Sequence, residues 1–227
     1  MFVRRQKKPY SIRTAVNERV YVIGDIHGRY DLLIKIINQI THKLSSEGRR
    51  GMRTRLIFLG DIIDRGPESL KCLRLIEHLS QFGAEIVLGN HEDLLLRTLS
   101  GDADARKLWF KHGGLMTLAS LGVEKPLESE DGFDFGERVK EALPDAVLNM
   151  LLRAGTSLRS GDYMFVHAGV KPKVPLLKQD DFDLLFIRNE FTESKKWHGA
   201  MIVHGHTIVE NIEVHNNRIA IDTGAYR

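Results

Sequence analysis

Leu56-Ile57-Phe58-Leu59-Gly60-Asp61-Ile62-Ile63-Asp64-Arg65-Gly66 passes from four apolar residues directly into glycine, two acids and an arginine. A short apolar run of this kind reads as a buried strand, and the glycine lets the backbone turn sharply where the strand ends. The arrangement recurs along the chain. Val20–Ile23 leads into Gly24-Asp25-Ile26-His27-Gly28, Ile86–Leu88 into Gly89-Asn90-His91-Glu92, Tyr163–Val166 into His167-Ala168-Gly169, and Met201–Val203 into His204-Gly205-His206. Between the early runs, Leu32, Leu33, Ile36, Ile37 and Ile40, then Leu70, Leu73, Ile76 and Leu79, fall at helical spacing, with Pro67 placed for a first turn. Strand, helix, strand, helix predicts an α/β fold. Ligands of such sheets gather beyond the carboxyl ends of the strands, where loops from separate strands meet, and the polar residues fall there.

The 227 residues suffice for one proper core, and the chain is expected to be a single domain over 19–227 behind an N-terminal extension, 1–18. Residues 100–160 read differently: Trp109 to Leu121, an acidic glycine-containing loop over about Glu124–Gly136, and a helix over Glu137–Arg153 interrupted by Pro144. This stretch is expected to be a helical insertion capping the sheet edge. Ile208–Val214 and Arg218–Asp222 flank Asn216-Asn217 and predict a hairpin. The chain ends soon after it, so a truncated C-terminal strand is expected.

Hydrophobic residues make up 42% and charged residues 28%, which argues against disorder, collagen-like repeats and a coiled coil. No apolar run approaches the roughly 20 residues needed to span a bilayer, and the basic start at residues 4–8 runs into Pro9 and polar residues, so neither a signal peptide nor a membrane span is expected. Cys72 is the only cysteine, which excludes internal disulfides and cysteine-rich zinc sites and points to the cytoplasm. Residues 1–60 hold 13 Lys/Arg against 4 Asp/Glu, and residues 61–227 hold 20 against 26, so a net charge of +3 conceals a basic first part. Clusters at 4–8 and 49–55 make up much of that excess; a solvated surface loop explains such runs at least as well as nucleic acid, which is not the expected partner.

Three motifs carry chemistry. Gly24-Asp25-Ile26-His27-Gly28 sets a carboxylate and an imidazole two residues apart just past a strand, able to hold one cation; a strand-end acid beside a surface histidine is the plainer reading. Gly60-Asp61-Ile62-Ile63-Asp64-Arg65-Gly66 supplies two acids and a guanidinium: an Asp can bridge two metals and an Arg can grip phosphate, or Asp64 and Arg65 can form a surface pair of little energetic value. Gly89-Asn90-His91-Glu92 offers an amide oxygen as ligand beside an imidazole that handles protons, while Asn90 also suits the cap of a helix from Asp93 to Leu99.

In this order, the three motifs resemble the catalytic core of the PPP family of metallophosphatases, the serine/threonine phosphatase group that includes bacterial diadenosine tetraphosphate hydrolases. Trp109…His112-Gly113-Gly114…Thr117-Leu118, Val166-His167-Ala168-Gly169, Phe186-Ile187-Arg188-Asn189-Glu190-Phe191 and Gly205-His206-Thr207 resemble its bacterial branch. The resemblance covers roughly 20–224 and implies a calcineurin-like β-sandwich of two mixed sheets flanked by helices. It implies that Asp25 and His27 hold one metal, that Asp61 bridges to a second, and that Asn90, His167 and His206 complete the second site. His206, after the glycine, is the ligand so implied, with His204 beside or behind it; the histidines at 42, 78, 112, 198 and 215 are expected to be surface or structural. Where the family usually continues with proline, Ile208 follows Thr207.

An oxygen and nitrogen donor set without thiolate suits manganese, iron or zinc, with Mn²⁺ expected, and two such cations against two carboxylates leave a net positive site that receives an anion. The resemblance implies direct attack of a metal-bridging hydroxide on phosphorus, Arg65, Arg188 and Asn90 on the phosphate, and His91, oriented by Asp64, as proton donor to the leaving alkoxide. The expected substrate is a phosphomonoester, phosphoserine or phosphothreonine in a protein; a dinucleoside polyphosphate is the alternative. A non-catalytic scaffold is disfavoured because no implied ligand has been lost.

Overall fold

The computed structural model describes residues 11–47, 51–127 and 129–227, so the basic cluster at 4–8, Arg49 and Arg50 lie outside the described residues. Strands β1 (Glu18–Ile23), β2 (Arg53–Phe58) and β3 (Glu85–Ile86) form a wholly parallel sheet, linked by helices α1 (Tyr30–Glu47) and α2 (Ser69–Ser80). A second sheet, of mixed sense, takes β4 (Ser157–Ser160), β5 (Tyr163–Val166), β6 (Met201–His204), β8 (Arg218–Ala220) and β7 (Glu213–Val214), in that order. All five apolar runs lie in or against these strands; the third is the shortest, ending at Ile86, after which Val87 bridges in parallel to Gly155.

Side-chain alternation sorts the strand residues into layers. Ile57 and Leu59 of the first sheet pack with Phe165 and Val203 of the second, so one core fills the space between the sheets. Phe58 and Ile23 face the opposite way, into a larger core with α1 and α2, and Met164, Val166 and Ile202 face outward beneath α8 (Asp181–Phe186) and α9 (Asn189–Thr192). Helix, sheet, sheet, helix is the result: two sheets flanked by helices, each apolar face covered.

Between the sheets in sequence lie α3 (Asn90–Leu99), α4 (Ala103–Lys111), α5 (Gly114–Leu121), α6 (Gly132–Ala142) and α7 (Asp145–Arg153). Their buried residues, Trp109, Leu118, Phe135, Val139, Val147 and Leu151, join the same core as Leu73 and Ile76 of α2. The single helix expected over Glu137–Arg153 is two, because Pro144 ends one and caps the next at φ −59°, ψ 135°. Helix α6 also starts earlier than the acidic loop suggested: the Asp131 side chain accepts from the N–H groups of Phe133 (2.7 Å) and Asp134 (2.9 Å) and fixes its first turn. The expected hairpin forms, with shorter strands, Glu213–Val214 and Arg218–Ala220. Among the described residues, no helix is long and apolar enough to cross a membrane.

Candidate metal centre

The loops after β1, β2 and β3 and those after β5 and β6 open at one end of the sandwich, and the expected ligands come from both sheets. Asp25, His27, Asp61, Asn90, His91, His167 and His206 are all buried, at most 8% exposed. Two groups of side chains have ligand atoms within 4.8 Å of one another: His27, Asp61 and His91, and Asp61, His167 and His206. Asp61 belongs to both.

Hydrogen bonds fix which imidazole nitrogens carry lone pairs. His167 Nδ1 lies 2.7 Å from the carbonyl of Leu59 and must donate, which leaves Nε2 as an acceptor. That nitrogen faces Asn90 Oδ1 at 2.9 Å, His206 Nδ1 at 3.1 Å and Asp61 Oδ1 at 3.4 Å. His167 Nε2, Asn90 Oδ1 and Asp61 Oδ1 therefore converge as electron-rich atoms, with His206 adding a fourth lone pair in the tautomer protonated at its unpartnered Nε2, an arrangement that a divalent ion relieves. His27 is oriented in the same way: its Nδ1 donates to the carbonyl of Ile63 (2.9 Å), and its Nε2 lies 3.6 Å from Asp61 Oδ2. Asp25 falls outside both groups of three. It accepts from the His206 backbone N–H (3.1 Å to each oxygen), and its charge raises the pKa of Asp61.

Electrostatics agree with a centre that lacks positive charge. Burial pushes the Asp25 and Asp61 carboxyls well above the usual range, Asp25 being raised further by Asp222 and Asp61 by Asp25 and Glu92. Burial holds His27 down to about 2 and His167 to about 3, so both imidazoles are neutral; His167 Nε2 faces the other donors, and His27 Nε2 can ligate once Arg65 moves aside. Oxygen and nitrogen donors only, acids in want of a counter-charge and imidazoles with lone pairs inward fit a pair of divalent cations.

His91 and Asp64 form a second unit. His91 Nδ1 lies 2.5 Å from Asp64 Oδ2, and Asp64, fully buried, also accepts from Trp109 Nε1 (3.0 and 2.9 Å) and from the Thr117 hydroxyl (2.5 Å). Burial raises Asp64 to about 7 and lowers His91 to about 3, so the imidazole is neutral, its Nδ1 proton facing Asp64 and its Nε2 lone pair facing Arg65. Arg65 crosses in front, donating from Nη1 to His27 Nε2 (2.9 Å) and from Nη2 to His91 Nε2 (3.2 Å). Arg188 is exposed at the cap of α9 and adds through its charge to the burial that lowers the pKa of His91, His167 and His206, which places it on the rim. His204 is not at the centre: it packs edge-on against Phe191 in the outer layer (5.0 Å), its Nδ1 on the carbonyl of Gly205 (3.0 Å). His112, expected to be a bystander, sits at the mouth with its ring 6.3 Å from that of His91.

Backbone strain concentrates here. Outside glycine, positive φ occurs at His27 (47°), Asp61 (48°), Asp64 (73°), Arg65 (67°) and His206 (62°), and at only Asn17 and Lys173 elsewhere among the described residues. Such residues cost about 1–2 kcal/mol each and persist where the surroundings hold them. Glu92 does much of the holding: its carboxylate accepts from the N–H groups of Asp61 (2.8 Å), Ile62 (2.8 Å), Ile63 (3.2 Å) and Gly89 (3.0 Å). Gly60 and Gly89 pass so closely that a Cβ on either would overlap the other loop's backbone. Sequence reasoning quoted Glu92 and gave it no role, although an acid three residues beyond a helix's first cap is a known signal. Asp222, buried beside Asp25, was also missed; Ile219–Ile221 running into Asp222-Thr223-Gly224 repeats the pattern of the other loops.

Residues 18–222 match the family model described as calcineurin-like phosphoesterase. The asymmetrical bis(5'-nucleosyl)-tetraphosphatase PrpE of Halalkalibacterium halodurans is 31% identical over 220 residues, covering 89% of this chain and 84% of that protein. Serine/threonine-protein phosphatase 2 of Escherichia coli is 29% identical over 210 residues, covering 91% and 87%. A solved structure described as a putative diadenosine tetraphosphatase superposes with a TM-score of 0.62 at 21% identity, over 95% of this chain and 87% of the other, a likeness of fold.

Proposed function

The chain belongs to the calcineurin-like phosphoesterase family and is a phosphoric ester hydrolase, and from that premise we propose that it cleaves phosphomonoesters, phosphoserine or phosphothreonine in proteins, with two divalent cations bound around Asp61. The observation that carries the proposal is the convergence of lone pairs from both sheets on that one carboxylate. In it, Asp25 and His27 hold one ion, Asn90, His167 and His206 the other, and Asp61 both. Manganese is the ion expected. Bound there, the cations supply Lewis-acid polarisation of the phosphoryl group and acidify the attacking water.

The chain's own residues do the rest. Arg65 and Arg188 offer planar N–H forks to the equatorial oxygens of the phosphoryl group, where charge must be neutralised, and the Asn90 amide borders the same space. His91, neutral at rest, would first take up a proton at Nε2 and then deliver it to the departing oxygen, and Asp64, held by Trp109 and Thr117, steadies the imidazolium so formed through Nδ1. Burial keeps bulk water from His91 and Asp64 and raises the worth of the contact between them.

A dinucleoside polyphosphate is the second reading, favoured by the name of the Halalkalibacterium halodurans relative. The same groups serve an anhydride as well as an ester. Rates on a phosphoserine peptide and on diadenosine tetraphosphate, each with added Mn²⁺, separate the two; failure to hydrolyse either, or a simple aryl phosphate, after metal loading refutes the hydrolase reading. The proposal also includes a cytoplasmic location, supported by the lone, buried Cys72, and a single domain over 19–227 with 100–160 as its helical cap.

A further inference from the structure

Arg65 is pinned by its backbone, and its tip reaches the centre, where Nη1 and Nη2 donate to His27 Nε2 and His91 Nε2. Its N–H donates to the carbonyl of Gly113 (3.3 Å), and Gly113 passes so close that a Cβ there would meet Arg65 Cγ at 2.9 Å. The guanidinium carbon lies 4.4 Å from the centroid of the Tyr226 ring, and the same ring meets His27 edge-on at 5.0 Å. Tyr226 is in turn held. Arg29 donates from Nη1 to the Ala225 carbonyl (2.7 Å) while its other nitrogens grip Asp31 (2.8 and 2.8 Å), and the Gly224 N–H donates to Asp222 (2.9 Å). The turn that sets Asp222 beside Asp25 therefore also sets an aromatic face beneath Arg65.

We propose that Tyr226 is a positioning residue for phosphate binding: its ring holds the Arg65 guanidinium flat, so that the N–H edge meets the phosphoryl oxygens of the substrate. This deepens the phosphohydrolase reading and rests on it. A ring 4.4 Å from the guanidinium carbon engages its face and not its in-plane donors, which reach His27 and His91 here and can turn to a bidentate grip on phosphate. Without the ring, Arg65 regains rotamers that point away from the centre, and the freedom must be given up again on binding.

Tyr226→Leu removes the π-face, Tyr226→Phe keeps it, and Arg65→Ala removes the partner. Orthophosphate affinity of the manganese-loaded protein and KM for an aryl phosphate are measured for each single variant and for Tyr226→Leu combined with Arg65→Ala. Tyr226→Leu is expected to weaken both about tenfold in the parent and less than about twofold in the Arg65→Ala background, with Tyr226→Phe within about twofold of the parent. Bound metal and melting temperature are expected to stay constant. Equal losses in both backgrounds, loss of metal in Tyr226→Leu, or a parent that binds no orthophosphate would overturn the proposal. If the parent binds orthophosphate but hydrolyses no phosphate ester, the hydrolase reading fails and the binding cycle alone decides the role of Tyr226.

Discussion

Replacing Glu92 with glutamine keeps the length and shape of the side chain and changes only what its two ends can accept. In the native site Oε1 takes the N–H groups of Ile62 and Ile63, and Oε2 those of Asp61 and Gly89. Whichever end becomes the amide nitrogen, two N–H donors then face a third donor with no water to turn to. Hydrogen bonds to a charged acceptor contribute about 1.5–3 kcal/mol each, and the 3.2 Å bond from Ile63 belongs at the low end, so Glu92→Gln is expected to cost about 3–4 kcal/mol. For a chain of this length that lowers the melting temperature by about 6–16 °C. Thermal denaturation of the metal-free protein reads the loss, and hydrogen exchange at Asp61, Ile62, Ile63 and Gly89 locates it. A melting temperature within about 2 °C of the parent, with those four amides still slow to exchange, refutes the idea that this carboxylate ties the loops together.

His91→Ala should lower kcat about 10²- to 10⁴-fold with bound metal unchanged; loss of metal instead makes His91 a ligand and removes it as proton donor. Arg188→Ala should raise KM for a phosphate ester while leaving stability within about 0.5 kcal/mol, since the side chain is exposed; a change in melting temperature without one in KM assigns it a structural role. Burial lowers His204 from 6.5 to about 4, so the unfolded chain takes up a proton there between pH 6.5 and 4 that the folded chain refuses. The stabilisation this gives is complete above that window and lost as pH falls through it, and His204→Gln should reduce the slope of stability against pH by about one proton. An unchanged slope would show that His204 is not buried as a neutral imidazole.

Much of this was legible because the fold writes its loops locally. An apolar run ending in glycine or a candidate ligand announces both a buried strand and the turn after it, and the sequence carries five such signals in order. The layering also follows, since Ile57 and Phe58 must face opposite sides. What could not be read is what depends on contact between distant segments. Nothing local says that Trp109 and Thr117 would reach Asp64, that Tyr226 would lie under Arg65, or that His112 would turn towards His91. Pro144 announced a break but not that both sides would be separate helices in one core. The family resemblance supplied the choice of His206 over His204; in three dimensions β6 sends His204 outward, and the left-handed turn at His206 brings that ring to His167.

Because Asp61 and Asn90 follow strands of one sheet and His167 and His206 strands of the other, an ion held among them as proposed would work as a rivet through two plates. The first plate alone carries Asp25, His27 and Asp61 for one ion, whereas the ion shared with His167 and His206 would have too few donors until the halves have docked. Uptake of that second ion should thus trail folding and then lock it, slowing the separation of the layers far more than it hastens their assembly.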